Sequence, residues 1–198
     1  MNDTEKTLRY YDTHADEYVT ESLSADMSEQ YGKYLQWLAK GSKILDLGCG
    51  SGRDSKFFIG RGFDVTPVDG SEEMCVRAEK YIGHKVRRLM FEDLDYDGVF
   101  DGVWACASLL HVKKEEMNEK LRKVSKSLRP DGVLYLSFRY GDDERRSSGM
   151  IYSDYTEDTL DTIINNDAHL RMIEWWISED TRRDHPDDLW INVICCRL

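Results

Sequence analysis

The segment Lys43–Asp54, KILDLGCGSGRD, decides the fold. A short apolar strand, KILDL, runs into three glycines spaced G-x-G-x-G, and one acid, Asp46, stands inside the apolar run. Glycines let the chain turn tightly and let a ligand approach the main chain closely. The segment therefore predicts a strand, a ligand-contacting turn and a helix that begins near Arg53.

Strands and helices alternate outward from this segment. The strands predicted after KILDL are DVTPVD, VRRLMF, VFDGVWACA, GVLYLSF, LRMIEWWIS and LWINVICCRL. Alternation of apolar strands with helices predicts a parallel sheet covered on both faces. The last two strands are joined by about ten polar residues without a helix, so they must pair antiparallel. We predict an α/β fold with a doubly wound, mostly parallel seven-stranded sheet and a reversed last strand.

The segments outside this alternation are assigned from the spacing of their apolar residues. Residues 3–22 and 28–39 are predicted to be helices, 139–156 a polar loop, and residues near 157–166 another helix. We expect one domain over residues 1–198, with a helical cap at 1–40 and an α/β core at 41–198. The N-terminal helices would form a lid over the ligand face of the sheet.

Composition narrows the possible partners. Twenty-seven Lys and Arg stand against 38 Asp and Glu, a net charge of −11, which disfavours direct nucleic-acid binding or an anionic membrane surface. The five cysteines form no C-x-x-C pair, so neither a zinc site nor a disulfide framework is expected. The N-terminus carries no apolar signal core, and no apolar stretch reaches about 18 residues. We expect a cytoplasmic protein that is a monomer or a weak dimer.

The expected ligand site lies beyond the carboxyl ends of the strands, where the strand order reverses. A dinucleotide fingerprint, G-x-G-x-x-G, fails because its third glycine would fall on Arg53. Asp69 ends the second strand, where a carboxylate can accept both hydroxyls of a ribose. The pair Glu92-Asp93 follows the third strand, within reach of an adenine amino group, and Asp46 stands where a cationic group would be attracted. Adenosine with a positive, amino-acid-like tail fits this pattern, which describes S-adenosylmethionine.

Four segments in this order resemble the class I S-adenosylmethionine-dependent methyltransferases. KILDLGCGSGRD resembles the glycine-rich motif, VTPVDGSEEM the ribose-binding strand end, FEDLDY the adenine-contacting turn and FDGVWACASLLHV the fourth strand with its loop. The resemblance covers essentially the whole chain. Together with SFRYG and the tryptophan-rich final strands, these segments resemble small bacterial methyltransferases related to the tellurite-resistance and quinone-pathway enzymes.

The resemblance implies that the cofactor is S-adenosylmethionine, converted to S-adenosylhomocysteine, with no metal. Transferred position by position, it implies cofactor contacts at Asp46, Gly48, Gly50, Asp69, Gly70, Met74, Asp93, Leu94 and Cys106. The N-terminal helix of the family often covers the cofactor, which here assigns that role to Tyr10, Tyr11 and Tyr18. Arg53 would meet the cofactor carboxylate or lie solvated in the first turn of its helix.

Several of these residues have a structural alternative. Asp46 would either attract the cationic group of the cofactor directly or hold the glycine loop in place through main-chain hydrogen bonds. If Asp69 does not bind a ribose, it is only a turn residue that leads into the next helix. Cys106 is expected to be a small packed residue that meets the cofactor through its backbone. His111 would be a surface histidine or a substrate contact. Trp175, Trp176 and Trp190 are expected to pack the core and the final hairpin, and at least one of them is a candidate wall of the substrate pocket.

The implied reaction is an in-line displacement of the methyl group, for which the protein chiefly aligns the reactants. His111 is the candidate general base if the nucleophile carries a proton. The N/D-P-P-Y/F/W motif for amino groups on nucleobases or glutamine is absent, as is the Pro-Cys pair of cytosine C5 enzymes. A small-molecule acceptor is therefore expected. The alternatives are a tRNA or protein acceptor reached through a partner, and a noncatalytic cofactor-binding module.

Loops expected on the ligand face carry arginines, which bind carboxylate or phosphate groups in a bidentate manner. These are Arg139, Arg145, Arg146, Arg182 and Arg183. An anionic acceptor would meet them, with Arg139 and Arg182 as the candidate substrate residues. The same loops are rich in aspartate, so local ion pairs are the alternative use of every arginine.

Overall fold

The strands form one large sheet and one small one. The computed structural model describes residues 1–167, 169–182 and 188–198. The strands are β1 (Lys43–Leu47), β2 (Asp64–Asp69), β3 (Arg87–Arg88), β4 (Phe100–Ala105), β5 (Leu128–Arg139), β6 (Glu144–Ser147), β7 (Met150–Ser153), β8 (Leu170–Glu179) and β9 (Leu189–Arg197). The seven-stranded sheet has the order β3-β2-β1-β4-β5-β9-β8, and β6 pairs with β7 separately.

Seven helices accompany the strands within the described residues. They are α1 (Asp3–Thr13), α2 (Ala15–Leu23), α3 (Ser28–Leu35), α4 (Arg53–Gly60), α5 (Glu72–Ile82), α6 (Lys114–Ser127) and α7 (Glu157–Asp167), with short 3₁₀ turns at Phe91–Asp93 and Leu109–His111. Local signals explain their starts. Asn2 and Glu5 form a reciprocal capping box on α1, and the Ser71 hydroxyl accepts the Met74 amide at the start of α5. None of the helices in the described part of the chain is long and apolar enough to cross a membrane.

The sheet topology confirms the predicted fold class. Strands β1 to β5 pair in parallel, whereas β9 runs antiparallel to both β5 and β8. The chain returns from β3 at one edge to β4 beside β1, so the strand order reverses between β1 and β4. At such a reversal the flanking helices diverge to opposite faces and leave a cleft beyond the carboxyl ends of the strands. The glycine-rich turn after β1 lies at this point.

Several boundaries differ from those predicted, among them the start of β5 at Leu128 and the end of α3 at Leu35. The third strand is only Arg87–Arg88, because the following residues enter the 3₁₀ turn at Phe91–Asp93. The first predicted helix is two, α1 and α2, which meet at His14. The predicted polar loop at 139–156 contains the β6–β7 hairpin, whose central residues Ser148 and Gly149 both have positive φ. Positive φ at both central residues is the geometry that two-residue hairpin turns favour. The Ser-Gly pair in the sequence could have indicated this turn.

The sheet separates two apolar layers. Leu45, Val103 and Leu134 point into the layer beneath α6 and α7, whereas Ile44, Trp104 and Tyr135 point into the layer beneath α3. Successive residues of a strand face opposite sides, so these central strands are apolar on both faces over most of their length. This explains why the strands read as continuous apolar runs in the sequence.

A buried carboxylate, Asp54, ties the second layer together. Only 6% of its surface is exposed, and it accepts hydrogen bonds from Arg53, from the Tyr31 hydroxyl and from Trp104 Nε1, the last at 2.8 Å. The Arg53 guanidinium also donates to the Ser22 carbonyl at 3.1 Å. Although burial opposes its charge, the guanidinium holds the pKa of Asp54 below its ordinary value. One carboxylate therefore links α2, α3, α4 and β4.

We predict that Asp54→Ala lowers the free energy of unfolding by about 3–5 kcal/mol, because it leaves a buried guanidinium and two buried donors without an acceptor. Urea titration followed by tryptophan fluorescence measures the change. The control is Asp64→Ala at the exposed start of β2, expected to change stability by less than about 0.5 kcal/mol. Equal stability of the two variants would contradict the role of Asp54. If Asp54→Ala does not fold, Tyr31→Phe tests the same network with a loss of about 1 kcal/mol.

Candidate functional site

Two cavities open side by side beyond the carboxyl ends of the central strands. The β2 cavity, about 790 Å³ including space open to solvent, lies against the end of β2 and the start of α5. The β5 cavity, about 1020 Å³ on the same measure, lies against β5 and β9. Both are lined by the same five residues, which we name the shared wall: Tyr11, Tyr18, Gly48, Ala107 and His111. A molecule that extends through this wall would reach both cavities.

The glycine-rich turn shapes the wall because side chains would not fit there. Gly48 has φ of 78°, and a Cβ on it would stand 2.5 Å from the Ser108 Cβ. Gly50 has φ of 51°, and its Cβ would stand 3.1 Å from the Tyr18 ring. The amides of Gly48 and Cys49 both donate to the Val68 carbonyl at 2.9 Å, which holds the turn against the end of β2. The turn thus exposes main chain to the β2 cavity.

Asp69 is the acid of the β2 cavity. One carboxylate oxygen accepts the Gly50 amide at 2.9 Å and the other accepts the Ser71 amide at 2.8 Å. Burial raises its pKa, against the lowering effect of these two amides. Each oxygen has a second lone pair, so the carboxylate can still accept two hydroxyl groups from a ligand. Asp12 of α1 lies beside it and accepts the Ser71 hydroxyl at 2.6 Å.

The remaining walls of the β2 cavity are mostly apolar. The apolar ones are Leu8, Gly70, Met74, Leu89, Met90, Phe91 and Val112, and the polar ones are Thr4, Thr7, Glu92, Ser108 and Glu116. The Ser108 hydroxyl is buried and has no hydrogen-bond partner, so it is a polar group available to an occupant. Asp93 and Leu94, predicted to touch the cofactor, are not brought to the cavity. The 3₁₀ turn leaves Asp93 exposed and Leu94 in the core, and it presents Phe91 and Glu92 instead.

Asp46 lies behind the turn and lines neither cavity. Its side chain is 1% exposed and accepts the Ser55 hydroxyl of α4. Burial, together with the nearby charge of Asp54, raises its pKa to about 8. The sequence suggested either a direct contact with a cationic ligand or main-chain bonds to the glycine loop, whereas the bond that the structure shows fixes β1 to the Ser55 side chain of α4.

Arg53 and Cys106 lie on the floor of the β5 cavity. The Arg53 guanidinium is directed to Asp54 and to the Ser22 carbonyl, so it is neither solvated nor free. The Cys106 thiol lies 3.8 Å from Arg53 Nη2. Burial raises the pKa of this thiol to about 12, so it is a neutral, packed side chain as the sequence suggested.

His111 and Tyr11 form a hydrogen-bonded pair in the shared wall. The His111 ring bonds the Ile151 carbonyl through Nδ1 at 2.9 Å and the Tyr11 hydroxyl through Nε2 at 2.8 Å. A carbonyl only accepts, so Nδ1 carries the proton. Burial lowers the pKa of His111 to about 4, so Nε2 is unprotonated at neutral pH and accepts from Tyr11. The lone pair that a general base would need is therefore occupied by Tyr11.

The tyrosines predicted to cover the cofactor divide into two kinds. Tyr11 and Tyr18 pack edge to face, with ring centroids 5.1 Å apart, and both stand in the shared wall. Tyr10 stacks on His14 at 4.3 Å and lines neither cavity. Tyr10 and Tyr11 are adjacent in α1 and therefore point to different sides of the helix, so only Tyr11 reaches the site.

The arginines predicted to bind an anionic acceptor are paired with aspartates. Arg139 and Arg182 line the β5 cavity, and each lies 2.6 Å from an acid, Asp188 and Asp180 respectively. Arg145 pairs with Asp154 and Arg146 with Asp3, and neither lines a cavity. Arg183 lies outside the described residues. For the four that are described, the structure matches the alternative of local ion pairs.

Some cavity residues were missed by the sequence reasoning. Gln30, Tyr152 and Asn192 line the β5 cavity and Ser108 lines the β2 cavity, whereas Asp12 lines neither and lies beside the β2 cavity through its bond to Ser71. Asp12 directly follows the tyrosines of α1, which was a usable signal, whereas the others come from different elements that only the fold brings together. Among the tryptophans, Trp190 lines the β5 cavity, while Trp175 is 46% exposed. In the described part of the chain, no group of three or more His, Cys, Asp or Glu is placed to hold a metal ion.

Comparison with known proteins finds a family match for the first half of the α/β core. Residues 44–132, from β1 to the start of β5, match the family described as "Methyltransferase domain". The chain is 34% identical over 115 residues to YqeM of Bacillus subtilis (strain 168), a protein named as a methyltransferase, covering 52% of this chain and 47% of YqeM. The chain spans about half the length of the curated relatives it matches.

Two solved structures share the fold over nearly the whole chain. The 1,6-didemethyltoxoflavin-N1-methyltransferase of Burkholderia thailandensis superposes with a TM-score of 0.79 at 20% identity, over 98% of this chain and 88% of that one. The magnesium protoporphyrin IX methyltransferase of Synechocystis PCC 6803 gives 0.77 at 15% identity over 100% of both chains. Both were solved with bound S-adenosylhomocysteine. Residues 44–132 therefore match a methyltransferase domain, and the chain as a whole has the fold of these two enzymes.

Proposed function

We propose that this protein transfers a methyl group from S-adenosylmethionine to a small-molecule acceptor. The observation that carries the proposal is the pair of cavities joined at one wall, the β2 cavity holding an acid and a glycine turn and the β5 cavity holding aromatic and polar side chains. A two-substrate reaction needs such an arrangement, because both molecules must meet at one point. The toxoflavin and protoporphyrin enzymes named above act on small molecules, which supports the choice of acceptor class.

The residues of the β2 cavity fit the adenosine part of the cofactor. Asp69 offers the two free acceptor sites that a ribose diol requires, and the buried Ser108 hydroxyl lacks a partner in the protein. Side chains at Gly48 and Gly50 would fill the approach to the main chain. Met74, Met90 and Phe91 provide apolar surfaces for a purine ring. Bound there, the cofactor supplies a methyl group on a sulfonium ion that is already activated for displacement.

The chain's own contribution is alignment. Tyr11 and Tyr18 reach from the N-terminal helices into the shared wall, where they line both cavities and exclude water from the point at which the cavities meet. Holding two reactants in line is worth roughly 7–11 kcal/mol of barrier without any acid or base. His111 orients the Tyr11 hydroxyl through the 2.8 Å bond to Nε2. The role of general base considered for His111 would require this bond to open.

Three broader expectations stand beside this proposal. Residues 1–198 are proposed to act as one domain, with the helices at 1–40 serving as the cap of the site. The chain is proposed to work in the cytoplasm as a monomer or weak dimer. The net charge of −11 supports an acceptor other than nucleic acid.

We predict that Asp69→Asn weakens binding of S-adenosylhomocysteine about 10- to 100-fold, because hydrogen bonds to a charged acceptor are worth about 1.5–3 kcal/mol. Isothermal titration calorimetry measures the dissociation constant. Asp64→Asn, at the other end of the same strand, is the matched control and is expected to bind normally. Equal affinity in a folded Asp69→Asn variant would contradict the ribose assignment. Failure of the unmodified protein to bind the ligand would contradict the proposed function.

We predict that one histidine titrates near pH 4, whereas an unfolded histidine titrates near 6.5. This imidazole stays neutral in the folded protein, so its contribution to stability is complete above about pH 6.5 and is lost as the pH falls toward 4. NMR of the histidine ring protons, compared between the native protein and His111→Gln, identifies the group. The variant is expected to lose less stability than the native protein between pH 7 and pH 5. A His111 signal that titrates near 6.5 would refute the buried, neutral assignment.

A further inference from the structure

The shared wall offers no group that can take a proton from the methyl acceptor. The methyl group must pass between the cavities at this wall, so a general base would have to stand in it. The lone pair of His111 Nε2 accepts the Tyr11 hydroxyl at 2.8 Å, and Nδ1 donates to the Ile151 carbonyl. Burial raises the pKa values of Tyr11 and Tyr18 above their ordinary range, so both stay protonated. The other two members of the wall are a glycine and an alanine, so the nucleophile must enter with a lone pair that is already free.

The buried charges of the β5 cavity are paired with each other. Each of the three arginines in its lining lies 2.6 Å from a carboxylate: Arg53 from Asp54, Arg182 from Asp180, and Arg139 from Asp188, which stands outside the lining. The other two acids of the described lining, Glu21 and Glu179, are exposed, where water screens their charge. An ion that leaves water for this cavity therefore meets no unpaired buried charge in the described lining, so burial favours a neutral occupant.

Two buried polar atoms of the same lining lack a partner, and they are of opposite kinds. Gln30 Oε1 only accepts hydrogen bonds and the Arg139 Nε–H only donates them, and neither is bonded among the described residues. Asn192, also buried in this lining, is satisfied instead by the Tyr135 hydroxyl and by Ser178. A carboxylate would serve only Arg139 and an ammonium only Gln30, and each would leave the other atom unsatisfied. A neutral molecule that carries both a donor and an acceptor serves both.

Aromatic rings stand among the walls of the β5 cavity. Those of Tyr18, Tyr152 and Trp190 line it, and Tyr18 belongs to the shared wall as well. Aromatic side chains pack favourably against other planar rings, in stacked or edge-to-face contact. An acceptor with a flat ring therefore fits this cavity.

We propose that the methyl acceptor is a neutral nitrogen heteroaromatic compound and that its unprotonated ring nitrogen is the nucleophile. Such a nitrogen is a weak base, so its lone pair is free at neutral pH, whereas an aliphatic amine would be an ammonium ion. The lone pair attacks the methyl carbon, and the N–C bond forms as the C–S bond breaks and its electron pair stays on sulfur. The positive charge passes from the sulfonium to the ring, and no proton moves in this step. The inference rests on the proposed methyltransferase function, and it replaces the anionic acceptor that the loop arginines suggested.

The first test compares three probes that share one skeleton and differ in charge. They are an isoquinoline with a carboxamide on its carbocyclic ring, the corresponding carboxylate, and the corresponding aminomethyl compound, which is an ammonium ion at pH 7. Ligand-observed NMR titration measures the affinity of each, with and without saturating S-adenosylhomocysteine. We expect the carboxamide to bind at least tenfold more tightly than either ion.

Two variants and two matched controls test the polar contacts. Gln30→Met keeps the length of the side chain without the acceptor oxygen, and Arg139→Lys keeps the positive charge without the Nε–H. Each is expected to weaken binding of the carboxamide about fivefold. Gln36→Met changes an exposed glutamine directly after α3, and Arg129→Lys an ion-paired arginine at the other end of β5. Neither control residue lines a cavity, so both variants are expected to bind the carboxamide as the unmodified protein does.

A turnover assay identifies the nucleophile. The protein is incubated with S-adenosylmethionine and either the isoquinoline carboxamide or a naphthalene carboxamide that carries a hydroxyl group at the position of the ring nitrogen. Mass spectrometry follows the methylated product and S-adenosylhomocysteine. We expect methylation of the ring nitrogen at a rate that does not change between pH 7 and pH 9. Methylation of the hydroxyl group is expected to be at least tenfold slower at pH 7, because its oxygen must first lose a proton.

Several outcomes would overturn the inference. These are equal or tighter binding of either ion, no binding of any probe, unchanged binding in both Gln30→Met and Arg139→Lys, a bound carboxamide that is not methylated, or faster methylation of the hydroxyl group. Failure of the unmodified protein to bind S-adenosylhomocysteine is a separate result. It would refute the proposed function, and the comparison of the three probes without that ligand would still decide the charge preference.

Discussion

The buried carboxylate of Asp54 is the interaction on which the site depends. It collects donors from α3, from β4 and from the guanidinium of Arg53, and Arg53 in turn holds the carbonyl of Ser22. Burial of a charge is unfavourable unless every such partner is present. Because these partners come from separate elements, the N-terminal helices and the start of α4 adopt one relative position. That position sets the floor of the β5 cavity, where Arg53 and Cys106 lie.

A second acid, Asp46, lies close to Asp54, and the two carboxyl groups differ in their environment. The guanidinium that bonds Asp54 holds the pKa of that carboxyl below its ordinary value, whereas Asp46 accepts the Ser55 hydroxyl, and burial and the charge of Asp54 raise its pKa to about 8. Two neighbouring carboxyl groups without enough compensating charge do not both ionise readily. The arrangement keeps the strand end rigid without adding a second full charge behind the glycine turn. Asp69 is then the carboxyl group that a ligand in the β2 cavity would meet.

The shared wall joins the N-terminal helices to the chemistry of the sheet. Tyr11 and Tyr18 complete both cavities, so neither cavity is formed by the sheet alone. The bond from Tyr11 to His111 links α1 to the turn after β4, and the His111 ring is fixed in turn by the Ile151 carbonyl of β7. The hairpin that contains β7 thus supports the wall from behind. An imidazole held in this way serves to orient a hydroxyl group more directly than to carry a proton.

The amino-acid sequence was enough to predict the fold class, the reversed last strand, the glycine turn and the acid at the end of β2. Each of these features depends on a local pattern: an apolar run, the spacing of glycines or a short connection. The sequence did not determine the β6–β7 hairpin, the displacement of Asp93 and Leu94 from the cavity, or the burial of Asp46 behind the turn. The sequence also did not show which charged residues form ion pairs. Arg139 pairs with Asp188 and Arg182 with Asp180 because the folded loops bring these side chains together. Partners far apart in the chain meet only when the sheet and its helices are assembled, and hydrogen bonds and ion pairs act over a few ångströms, so tertiary structure alone decided them.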